Sequence, residues 1–153
     1  MPLPFVKLHG LGNSYIYFDF LDGAPGALDL ATLSRAVSDK GFGLGADGLI
    51  AILPSERADA RMRIFNADGS EAEMCGNGIR CVGKYLYDRG RVPKTDMVIE
   101  TGAGLLALRI HAVDDRARWV QVEMGPPALA RAKIPMTGDP AGKAIDEPLE
   151  VNG

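Results

Sequence analysis

Cys75 is the residue best placed to do chemistry. It stands in EAEMCGNGIRC at 71–81, immediately before a stretch whose apolar residues Ile79, Val82 and Leu86 recur at helical spacing. A thiol at the start of a helix meets free backbone N–H groups and the positive end of the helix dipole, and both favour the thiolate. Gly76 and Gly78 leave the backbone bare, so a ligand can approach closely. The same N–H groups suit a carboxylate, such as that of an amino acid. A reactive thiolate beside a carboxylate pocket is the chemistry this pattern allows.

The other candidates are weaker. Cys81 lies six residues after Cys75. On a helix that is about 9 Å along the axis, beyond the roughly 7 Å a disulfide spans, so Cys81 is expected to pack in the core beside Val82 and Tyr85. GLGADG at 43–48 fits G-x-G-x-x-G but follows a helix and opens a strand. That is the reverse of the dinucleotide-binding order, so a tight turn is expected instead. His9 and His111 are the only histidines and are widely separated. Asp68, Glu71 and Glu73 cluster just before the Cys75 helix, and the plainer reading is a solvated loop with charge favourable to the helix N-terminus. No metal site is expected.

The elements that must hold Cys75 follow from the pattern. Strands are expected at 5–8, 14–20, 49–53, 60–65, 97–101, 105–112 and 118–124, from their aromatic, β-branched or alternating residues. HGLGN at 9–13 is a glycine-rich turn and NADG at 66–69 is turn chemistry. Asp29 is expected to cap a helix over about 30–39, with Leu30, Leu33 and Val37 on one face. A second helix is expected over 77–89, ended by Gly90 with Pro93 following. The class is α+β: an antiparallel-rich curved sheet wrapped around a central helix. Residues 1–124 form the domain. From Gly125 the chain is rich in Pro, Gly and Ala and reads as an extended arm or linker, a connecting segment over 125–153.

Composition narrows the function classes. The 153 residues carry 17 Lys and Arg against 20 Asp and Glu, a formal charge of −3. Nucleic-acid binding is not expected at pI ≈ 5.4. No apolar run approaches the roughly 20 residues that span a bilayer, and MPLPFVKLHG has no signal-peptide pattern. A cytoplasmic protein is expected, without membrane partners.

Three segments together resemble the diaminopimelate epimerase family: KLHGLGNSYIYFD at 7–19, GLGADGLI at 43–50 and, most specifically, FNADGSEAEMCGNGIRC at 65–81. They fall in the family's order across residues 5 to about 127. The resemblance implies interconversion of L,L- and meso-diaminopimelate, on the route to lysine and peptidoglycan, with no pyridoxal phosphate, metal or other cofactor. It implies two cysteines, one taking the α-proton and the other returning a proton to the opposite face. Carried over position by position, Cys75 matches the first catalytic cysteine. Gly76 and Asn77 match the backbone that holds the substrate carboxylate, and Asn13 and Asn66 match substrate-binding asparagines. Ser14 and Tyr15 stand where the family often has Asp and Phe, and some members have Gln at the position of Gly48.

The resemblance also implies a partner. The family pairs two similar domains, and this chain matches the first. The second cysteine would come from a second epimerase domain, in the same or a separate chain, and a homodimer is possible. Two alternatives stay open. One is a related cofactor-independent amino-acid racemase of the proline racemase kind, and the other is a non-catalytic half-domain.

Overall fold

Two strands buried on both faces organise the fold. β3 (Gly48–Leu53) is apolar throughout and β2 (Asn13–Asp19) is aromatic and apolar over its buried middle, Tyr15 to Phe18, and Ile16, Leu49, Ile50, Ala51 and Ile52 are fully buried. Such runs belong at the centre of a sheet, covered on each side. In the computed structural model, which describes residues 2–23, 27–134 and 136–148, they pair in parallel, with Tyr15 opposite Gly48. Outside them lie β1 (Val6–Gly10), β4 (Ala60–Asn66), β6 (Asp96–Thr101), β7 (Gly104–Val113) and β8 (Arg116–Val122), in the order β1-β2-β3-β4-β6-β7-β8. The two-residue β5 (Glu71–Ala72) pairs with β4. Among the described residues the ladders are antiparallel except at β2–β3 and β4–β6.

The faces of the sheet are assigned by alternation. Tyr15, Tyr17, Ile50, Ile52, Met62 and Ile64 share one core with α2 (Gly76–Asp88), through Ile79, Val82 and Leu86. All three helix residues are completely buried, worth about 1.5–3 kcal/mol each. Both edge strands, β1 and β8, touch α2, so the sheet curls around it as a half-barrel. Gly83 lets the helix lie close to β7 and β8, since a Cβ there would sit 2.8 Å from Leu108 Cδ2. The residues of opposite parity, Ile16, Phe18, Leu49, Ala51 and Phe65, form a second core with Leu30 of α1 (Leu30–Ser38) on the outer face.

The expected helices agree with those found. Asp29 caps α1, accepting from the N–H groups of Ala31 and Thr32 at 3.0 and 3.2 Å. The α1 contact face differs from the expected one. Leu30, Ser34 and Ser38 are buried, while Leu33 and Val37 are half-buried at its margin. Ser34 tolerates this because its hydroxyl donates to the carbonyls of Phe65 and Asn66 at 3.0 and 2.9 Å. The turn expected at 9–13 tightens to Leu11 and Gly12, both at positive φ, so β1 and β2 extend to Gly10 and Asn13. Asp114 and Asp115 make the corresponding turn between β7 and β8.

The chain divides into two compact units, Met1–Glu123 and Met124–Gly153. In the second, Ala130 pairs with Lys143 across an isolated bridge and Arg131–Lys133 form a 3₁₀ turn.

Candidate active site

Strand polarity brings the site together. β2 and β3 are parallel and β4 runs against them, so the starts of β2 and β3 and the end of β4 share one end of the sheet. Asn13, Gly48 and Asn66 occupy that end, through the register Tyr15–Gly48–Asn66. The N-terminus of α2 lies there too. Gly10 packs so closely on Asn77 that a Cβ on it would lie 3.0 Å from the Asn77 carbonyl oxygen.

Cys75 is the N-cap residue of α2. Its backbone is extended, and Sγ accepts the N–H of Gly78 at 3.3 Å. Sulfur therefore takes the place the cap oxygen of a Ser or Asp usually fills. The thiol in turn donates to Asn13 Oδ1 at 3.3 Å. Cys75 is half-buried and free, and a Cβ added to Gly76 would meet nothing within 4 Å. The first turn of the helix thus presents bare backbone beside a half-buried cysteine.

The five residues expected at the site are not equally close. Asn13 touches the thiol directly. Gly76 and Asn77 form the first turn, with the Asn77 side-chain oxygen accepting from Arg80. Asn66 closes β4, but its amide nitrogen donates to Ser70 Oγ at 2.9 Å and not to the sulfur. Cys81 is buried in the α2 core near Tyr17, and burial pushes its thiol upward. His9 and His111 lie exposed on β1 and β7.

Two residues at the site escaped the reading of side-chain chemistry along the chain. Tyr15, on β2, neighbours Cys75 and Asn13, and burial followed by the neighbouring Cys75 pushes its hydroxyl up to about 12. Asp47 accepts from Asn13 Nδ2 at 3.0 Å and from the Ser14 N–H at 2.7 Å. The GLGADG segment, expected to be only a tight turn, is also a helix stop. The N–H groups of Leu44 and Gly45 donate to the Val37 carbonyl, and that of Ala46 to Ser38, at the end of α1. Asp47 then opens onto the site.

The acidic cluster is engaged locally. Glu71 holds Arg63 through two bonds of 2.7 and 2.8 Å, and Asp68 accepts from the backbone and hydroxyl of Ser70. The Arg63 partner holds the Glu71 carboxyl below its usual range, the Ser70 hydroxyl does the same for Asp68, and the Ser14 N–H does so for Asp47. Folded values below the unfolded ones mean stability that is present above the unfolded pKa, about 4. It is lost as pH falls through the folded values. The melting temperature should therefore fall on acidification below about pH 4. A melting temperature unchanged from pH 7 to 3, followed by circular dichroism, would contradict these assignments.

Comparison with known proteins places the fold first. A hydroxyproline epimerase from Agrobacterium vitis superposes on 77% of this chain and 40% of its own, with TM-score 0.61 at 22% identity. A probable proline racemase from Agrobacterium radiobacter covers 79% and 41%, with TM-score 0.61 at 23% identity. The curled sheet around a central helix is thus the fold shared with these two proteins. Sequence gives the family: residues 5–130 match the family model for diaminopimelate epimerase, and this chain belongs to that family. The diaminopimelate epimerase of Pelotomaculum thermopropionicum is 50% identical over 149 residues, 97% of this chain and 53% of its own length. That of Acetivibrio thermocellus is 48% identical over 151 residues, 97% of this chain and 52% of its own. The chain spans about half the length of the curated relatives it matches.

Proposed function

We propose that this chain supplies one half of a cofactor-independent diaminopimelate epimerase, with Cys75 as one of its two proton-transfer groups. The observation that carries the reading is the seat of Cys75: a half-buried free cysteine at the N-cap of α2, beside a first turn open at Gly76. A substrate α-carboxylate would accept from the backbone of Gly76 and Asn77, where the helix dipole favours negative charge. Asn13 and Asn66 would orient the amino acid at the same end of the sheet. The Cys75 thiolate would then lie beside the Cα–H bond. That bond breaks, the proton passes to Sγ, and the electron pair stays on Cα and spreads into the carboxylate. A second thiol on the opposite face returns a proton to Cα, inverting it. In the reverse direction Cys75 is the donor. One group cannot easily serve both faces, and on this reading a second epimerase domain, in the same or a separate chain, supplies the second thiol.

On this reading residues 125–153 are the start of the connection to a second domain. Reduced thiols at both positions are compatible with the cytoplasm. The runner-up is a racemase for another amino acid, favoured by the fold shared with the hydroxyproline epimerase.

Protection of Cys75 from alkylation distinguishes them. In the assembly with its second half, saturating L,L- or meso-diaminopimelate should slow iodoacetamide labelling of Cys75 by about tenfold or more, as expected for a site nine-tenths occupied or better. Proline should not. Protection by proline alone would move the reading to the racemase, and no protection by any amino acid would remove the carboxylate site.

A further inference from the structure

We infer that Asp47 is a positioning residue for Cys75: its carboxylate turns the Asn13 amide so that the carbonyl oxygen, and not the NH₂, faces the sulfur. An amide can present either end to a neighbour, and an ionised carboxylate can only accept. Asp47 Oδ2 lies 3.0 Å from Asn13 Nδ2, so that end of the amide is committed to Asp47. Asn13 Oδ1 is left 3.3 Å from Cys75 Sγ, where it can only accept the thiol proton.

Asp47 is itself held rigidly. Its Oδ2 also takes the Ser14 N–H, its own N–H donates to the Ser14 carbonyl, and its carbonyl accepts from Ala67. Lys7 and Lys40 are the cations that face it, and the Ser14 and Asn13 bonds keep it ionised. The sulfur is therefore held between opposed partners. It accepts from the Gly78 N–H and donates to Asn13 Oδ1, which Asp47 locks. The Tyr15 hydroxyl is the other titratable group against it, together with Cys81 farther along α2. A group that must both take and return a proton needs both forms within reach. That catalytic meaning rests on the epimerase reading; the link from Asp47 through Asn13 to Cys75 does not.

A double-mutant cycle on Cys75 alkylation tests the link. The full chain would be labelled with iodoacetamide at pH 7 and Cys75 read by mass spectrometry. In Asp47→Ala no acceptor faces the NH₂ of Asn13, whereas Asn at this position would keep a carbonyl oxygen where Oδ2 now accepts both bonds. The Asn13 amide is then free to turn and donate to the sulfur, and labelling should quicken about fivefold, the size of one hydrogen bond. In an Asn13→Ala background the same change should alter the rate by less than about 1.5-fold. An unchanged or slower rate in Asp47→Ala would overturn the inference. So would equal quickening with and without Asn13, which is what general loosening of the loop would give. If Asp47→Ala fails to fold by near-UV circular dichroism, Asp47→Ser keeps a hydroxyl near the Ser14 N–H without the carboxylate and is read the same way. No substrate enters the assay. A failed cycle leaves the epimerase reading standing, and an inactive enzyme with an intact cycle does the reverse.

Discussion

Cys75→Ala is expected to abolish epimerisation, lowering the rate by about a thousandfold or more in any assembly that contains this chain and its second half. The size follows from the role: loss of a group that transfers the proton costs at least the 10²–10⁴-fold of general acid–base catalysis. Alanine also removes the cap bond to Gly78, so part of the loss could come from fraying of α2. Cys75→Ser separates the two. Its oxygen restores a strong N-cap, but a hydroxyl is far too weak an acid to exchange protons with Cα at neutral pH. The serine variant should melt near the wild type and be as inactive as the alanine variant. Cys81→Ala is the contrasting change. It removes a buried sulfur beside Tyr17 and should cost roughly 1–2 kcal/mol of stability, with the rate kept within a few-fold. Chiral separation of the L,L and meso isomers measures the rates. Activity of Cys75→Ser equal to wild type would sink the mechanism.

Gly48→Ala is expected to carry the largest cost in stability among single-methyl additions at the site. A Cβ at Gly48 would lie 2.2 Å from the Phe65 carbonyl oxygen, 2.9 Å from Tyr15 Cε1 and 3.1 Å from the Asn66 Cα. Two of these neighbours are backbone of the paired strand β4, so no side-chain rotation relieves the clash. Either β3 and β4 separate or the Tyr15 ring moves, and the ring carries the hydroxyl beside Cys75. Overpacking of this kind costs about 3 kcal/mol, which for a chain of this size lowers the melting temperature by roughly 6–12 °C. Calorimetry would check it. A loss under about 2 °C would mean that the strands give way at no cost.

Local signals along the chain predicted the local structure well. Ile79, Val82 and Leu86 with Gly90 place a helix at 77–89, and it runs from Gly76 to Asp88. Asp29 caps the helix it was expected to cap. The seat of Cys75 is equally local, since a cap and its helix are neighbours in sequence. What escaped depends on pairing between distant segments. The parallel ladders β2–β3 and β4–β6 join strands separated by loops and helices, and period-two alternation says nothing about which strand lies beside which. Asp47 escaped for the same reason: its bonds to Asn13 and Ser14 span more than thirty residues and exist only once β3 registers beside β2. The expected face of α1 was Leu30, Leu33 and Val37, and Ser34 and Ser38 are buried with Leu30 instead. Burial of Ser34 is tolerable only because the end of β4 offers two carbonyls to its hydroxyl. The two-residue β5 is too short to carry any periodicity.

On the proposed function Cys75 exchanges a proton with the α-carbon of diaminopimelate. The most direct measurement is α-hydrogen exchange in heavy water. L,L-diaminopimelate is incubated with the assembled enzyme, deuterium at Cα is followed by NMR, and the isomer formed is identified by chiral chromatography. With Cys75 intact, deuterium should enter as the L,L form converts to the meso form, and with Cys75→Ser neither should occur. Exchange and inversion at an undiminished rate in Cys75→Ser would contradict the account.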